Sequence, residues 1–60
     1  MRTIFYLNGN KVTRKALNEL LGAPVVRELV RRAKETHFLD PMIQNDFYMG
    51  SYGVVTVCFV

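Results

Sequence analysis

Residues 54–60, Val-Val-Thr-Val-Cys-Phe-Val, constrain the fold more than any other segment. All are apolar except Thr56, and strand alternation places Val55, Val57 and Phe59 on one side and Val54, Thr56, Cys58 and Val60 on the other. A strand that is apolar on both faces belongs at the centre of a sheet, with neighbours on either hand. The chain has only 60 residues from which to supply them, and a chain this short buries only about 60% of the surface it exposes when unfolded. The sequence therefore predicts one small domain over residues 1–60, built around this strand.

The neighbours are legible as strand formers. Residues 3 to 7, Thr-Ile-Phe-Tyr-Leu, are β-branched or aromatic at every position but the last and run into the turn signal Asn8-Gly9-Asn10, where the strand is expected to end. Asp40-Pro41 disfavours helix at Asp40. After it, Ile43, Phe47, Tyr48 and Met49 read as a second strand, joined by the glycine-bounded loop Gly50-Ser51-Tyr52-Gly53 to the terminal one.

Between the first and second strands the period changes to that of a helix. Thr13 can cap a helix in which Ala16, Leu17, Leu20 and Leu21 oppose Arg14, Lys15, Asn18 and Glu19. Gly22 suits its C-terminal stop, and Pro24 suits the first turn of a second helix running to about Thr36. Val26, Leu29, Val30, Ala33 and His37 form that helix's apolar stripe.

The predicted fold is α+β, in the order β-α-α-β-β: a three-stranded antiparallel sheet, order 1-3-2, with a helical hairpin over one face. The other face is left partly bare, showing Ile4, Tyr6, Phe47 or Tyr48 and the terminal strand. Ile4, Tyr6, Tyr48, Val54 and Thr56 are accordingly the candidate interface, because a monomer normally hides such a patch.

The chemistry-bearing residues argue against an enzyme. His37, the single histidine, falls on the apolar stripe, where a packed or capping role is expected. Cys58 is the single cysteine, in a β run, and reads as a small buried hydrophobe. Glu35, Asp40 and Asp46 have no metal-ligand spacing, and the sequence has neither a phosphate-binding glycine loop nor a serine-centred elbow. No catalytic residue, metal or cofactor is expected. A lone thiol cannot form an internal disulfide, no secretory leader is apparent, and residues 54–60 fall well short of the roughly 20 apolar residues of a membrane span. A cytoplasmic setting with no membrane partner is expected.

Charge is divided along the chain. Residues 1–34 carry all eight basic side chains against Glu19 and Glu28, a balance of +6, and residues 35–60 carry −3. Lys11, Arg14, Lys15, Arg27, Arg31 and Lys34 form a candidate basic flank for phosphates or an acidic partner. Two helices joined at a glycine invite comparison with the helix-turn-helix family, but the positions six and nine after Gly22 hold Glu28 and Arg31 where that family places apolar residues. Residues 4–8 and 52–57 resemble the two RNA-binding strands of the RRM family, yet valine stands where most of the stacking aromatics should be, and the second strand-helix unit is lacking.

The run Asn8-Gly9-Asn10-Lys11-Val12-Thr13 with Leu17, Glu19-Leu20 and Gly22, then Ala33-Lys34-Glu35-Thr36, Asp40-Pro41 and Ile43-Gln44-Asn45-Asp46-Phe47, resembles short uncharacterised reading frames of bacterial phages and conjugative elements. The resemblance implies a small accessory protein of a mobile element, a class that includes DNA-binding regulators and inhibitors of host proteins. The function expected from the residues is a protein-interaction module, homodimeric or bound to another protein, with a nucleic-acid-binding regulator as the alternative.

Overall fold

In the computed structural model, which describes residues 2–60, the first strand, β1 (Thr3–Leu7), turns straight back on itself. Asn8 and Gly9 both have positive φ, 52° and 85°, the requirement of a type I′ turn, whose twist matches that of the strands it joins. Asn10–Val12 therefore pairs antiparallel with β1 as β2, with Leu7 opposite Asn10, Tyr6 opposite Lys11 and Phe5 opposite Val12. Helices α1 (Arg14–Leu21) and α2 (Ala23–Leu39) follow, then β3 (Asn45–Tyr48), a 3₁₀ turn over Gly50–Tyr52, and β4 (Val54–Phe59).

The sheet is four-stranded and antiparallel, in the order β2-β1-β4-β3. The terminal strand lies between the first strand and the one after the helices, as its two apolar faces require. The expected sheet of three strands in the order 1-3-2 is corrected by the addition of β2 outside β1. The physical reason is the Asn-Gly dipeptide, which makes a hairpin of what the strand pattern alone shows as a strand end.

Local signals set the helices. The Thr13 hydroxyl accepts the Ala16 N–H at 3.1 Å, capping α1. Gly22 alone joins the helices: its N–H closes α1 on the Asn18 carbonyl at 2.9 Å, and the same residue is the N-cap of α2. Pro24 lies in the first turn of α2, which continues past Thr36 to Leu39. It stops at Asp40, whose N–H bonds to the Thr36 carbonyl at 2.9 Å and whose Oδ1 accepts the Met42 N–H at 3.0 Å.

Both helices pack on one face of the sheet. The core is Phe5, Val55 and Val57 from the sheet, Leu17 from α1, and Val26, Leu29, Val30 and Ala33 from α2. The predicted stripe of α2 is thus buried as expected. His37, at its end, is half-buried, with its ring 5.1 Å from that of Phe59 and tilted by 53°. In α1, Leu17 is buried, Leu21 packs against the core, and Ala16 and Leu20 stay exposed.

One side chain ties the two hairpins together. The Asn8 N–H donates to the Val54 carbonyl at 2.8 Å, its Oδ1 accepts the Val54 N–H at 2.9 Å, and its Nδ2 donates to the Tyr52 carbonyl at 3.1 Å. Gly53, at φ 96° and ψ −144°, lies beside this carboxamide in a region essentially confined to glycine. A Cβ at Gly53 would overlap the Asn8 side chain. Gly53→Ala is expected to lose about 2 kcal/mol or more of stability and Asn8→Ala about 1 kcal/mol, measured by urea unfolding. In the Asn8→Ala background Gly53→Ala should do less damage, because the clash is gone while the backbone strain remains.

Candidate functional site

With the helices on one face, pairing determines what the other face shows. Residues directly opposite one another share a face, and Phe5, Val55 and Val57 point into the core. The helix-free face therefore carries the pairs Ile4 with Cys58, Tyr6 with Thr56, Tyr6 with Lys11, Asp46 with Thr56, and Tyr48 with Val54. All five residues of the candidate interface, Ile4, Tyr6, Tyr48, Val54 and Thr56, stand on it. The choice between Phe47 and Tyr48 is resolved by burial: Phe47 packs against the core and Tyr48 is 84% exposed.

The middle of this face is ordered by a polar contact. Thr56 is only 9% exposed, and its hydroxyl donates to Asp46 Oδ1 at 2.7 Å. Gln44 Nε2 donates to the same oxygen at 3.1 Å. Ile4, Tyr6, Val54 and Cys58 around it are half-buried, and Lys11 and Asp46 are exposed at the two edges. Cys58 is thus not a fully buried hydrophobe as expected but part of the open face, because no helix covers that side of β4.

Three features of the surface were not read from the sequence. Asp46 belongs to the open face, which alternation along β3 would show once the inward side is known. Phe38, Leu39 and Met42 leave apolar surface bare at the end of α2 and just beyond it, at 87%, 82% and 91% exposure. An open groove of about 650 Å³ runs between the start of α2 and β3, lined in part by Val25, Leu29, Tyr48 and Met49.

The basic candidates do not all share one surface. Lys11 faces the helix-free side beside Tyr6. Arg14 and Lys15 are exposed in the first turn of α1, and Arg27, Arg31 and Lys34 are exposed along α2. Arg31 is engaged within its own helix, 2.5 Å from a carboxylate oxygen of Glu28 and 2.5 Å from one of Glu35, and Arg32 Nε lies 3.4 Å from Glu28. The hydrogen bond from Arg31 is the main cause that holds the Glu28 carboxyl below the ordinary carboxylate range; desolvation opposes it, and the charge of Arg31 and the hydrogen bond and charge of Arg32 add lesser support. The same carboxylates raise the guanidinium of Arg31. Exposed ion pairs of this kind add little stability, but they leave Arg31 less free for a phosphate.

Among the described residues, no group of three or more His, Cys, Asp or Glu side chains is placed to hold a metal ion, and no helix is long and apolar enough to cross a membrane. No protein-family model, curated protein or solved structure matches the chain.

A carboxyl whose folded pKa is depressed contributes stability above its unfolded pKa and loses it as pH falls through the folded one. The small stability difference between the native chain and Glu28→Gln should therefore be present at neutral pH and vanish in strongly acid solution. Urea midpoints measured across that range check it.

Proposed function

We propose that the chain is a non-enzymatic protein-interaction module whose binding surface is the helix-free face of the sheet and whose first partner is a second copy of itself. The observation that carries this reading is the set Ile4, Tyr6, Val54, Cys58 and Tyr48, the first four half-buried and Tyr48 exposed, arrayed on the side of the sheet opposite the helices and the apolar core. Self-association buries what so small a unit cannot cover alone. The accessory role implied by the resemblance over residues 8–47 fits a module of this kind, working in the cytoplasm.

The size of the face sets the strength of the contact. Four strands about 4.8 Å apart and about five residues long cover roughly 300 Å² in projection, against about 800 Å² a side in a standard interface. Association through this face is therefore weak and concentration-dependent. The nucleic-acid reading is less well supported, because Lys11 faces away from the helices and Arg31 is held by Glu28 and Glu35.

Sedimentation equilibrium from about 10 µM to about 1 mM, a span suited to a small interface, should show the apparent mass rising toward twice that of one chain. Tyr6→Arg should keep it at one chain without loss of the circular dichroism spectrum. Modification of Cys58 by a thiol reagent should slow over the same concentrations as the face becomes covered. A wild-type chain that stays monomeric, with a Cys58 rate independent of concentration, would overturn the proposal.

A further inference from the structure

The middle row of the open face, taken from one sheet edge to the other, is Lys11, Tyr6, Thr56, Asp46. A cation stands at one margin and an anion at the other, level with each other along the strands. Among the described residues neither is in an ion pair. Both hydrogen bonds that the Asp46 carboxylate accepts fall on Oδ1, which leaves Oδ2 for a further donor.

Resting on the reading that a second copy occupies this face, we infer that the two copies pack sheet to sheet about a two-fold axis parallel to the strands, so that Lys11 of each copy pairs with Asp46 of the other. Two chains stacked face to face by a two-fold axis have that axis in the plane between them. The axis can run along the strands or across them. Along the strands, it reverses the order of strands and keeps their level: β2 lies over β3 of the other copy, β1 over β4, Lys11 over Asp46 and Tyr6 over Thr56. Across the strands, it keeps the order, so that Lys11 lies over Lys11 and Asp46 over Asp46. The first arrangement makes two attractive contacts at the margins and the second makes two repulsive ones.

Distances permit the pairing. Packed sheets stand about 10 Å apart, a gap that a lysine and an aspartate side chain reaching toward each other can span. Aligned sheets are offset by about 30°, which moves an edge strand some 7 Å from the centre by about 4 Å. The four-carbon stem of lysine takes up a displacement of that size. Lys11 and Asp46 thereby select the partner and its orientation, while the apolar residues between them supply contact area.

The test exchanges the charges. Lys11→Glu changes the formal net charge of the chain from +3 to +1 and Asp46→Lys changes it to +5, so any effect of overall charge would move the two variants in opposite directions. Sedimentation should instead show both variants dimerising at least about tenfold more weakly than wild type. An equal mixture of the two should recover the wild-type dissociation constant to within about threefold, because each heterodimer has two opposite-charge pairs. Circular dichroism checks that each variant is folded. If Asp46→Lys is not, Lys11→Met, which leaves the hydrogen bonds of Asp46 untouched, must weaken the dimer on its own. A Lys11→Glu chain that dimerises as well as wild type or better, or a mixture that stays dissociated, would overturn the strand-parallel arrangement. A monomeric wild type, or a dimer indifferent to Tyr6→Arg, would instead overturn the use of this face.

Discussion

The carboxamide of Asn8 is the contact on which the arrangement of the sheet depends. Its residue makes the reversal between β1 and β2, and its side chain bonds to both sides of the Gly53 peptide region, at the Tyr52 carbonyl and the Val54 N–H. A one-residue slip between strands would send every side chain to the opposite face. By fixing where β4 begins relative to the end of β1, Asn8 sets the level at which Tyr6 meets Thr56. From there the ladder carries the register outward to Lys11 on one edge and Asp46 on the other. Gly53 is part of the same device, since its lack of a side chain is what admits the carboxamide.

The two faces of the sheet divide the labour between them. The described helices form one layer on one side of the sheet, and neither of them lies on the other. The protein meets this with side chains that are half apolar and half polar. Tyr6 carries a hydroxyl, Thr56 has its own hydroxyl satisfied by Asp46, and charged groups stand at both margins. Such a face tolerates water when uncovered and still has apolar area to bury, which suits a reversible contact better than a permanent one.

Much of this was legible from residue patterns. The two apolar faces of residues 54–60 put β4 in the middle of the sheet, and the helical stripe Val26, Leu29, Val30 and Ala33 is the buried one. The open-face residues followed from alternation. What was missed has physical causes. β2 is three residues long and its centre is a lysine, so it has no apolar run, and its only signature is the turn dipeptide before it. Phe38 and Leu39 extend α2 without adding to its buried stripe. Sequence shows charge without showing side, so Lys11 is indistinguishable there from the helical cations. Alternation along a strand reveals which face a residue occupies but not its level relative to another strand, so the row from Lys11 to Asp46 emerges only from pairing.

The two central strands lie at opposite ends of the sequence. Thr3 pairs with Phe59, and the backbones of Arg2 and Val60 exchange hydrogen bonds of 2.7 and 2.9 Å. The β1–β2 hairpin and the helical pair close through local contacts, on the microsecond scale of such elements. Joining β1 to β4 closes the longest loop of any strand pairing in the sheet and so carries the largest closure cost. Until it occurs, β4 has only β3 as a neighbour, and its edge toward β1 and its apolar side chains stay exposed. The segment that organises the finished sheet is thus also the one most open to mispairing with another unfinished chain, and conditions that speed chain closure should protect the protein from aggregation.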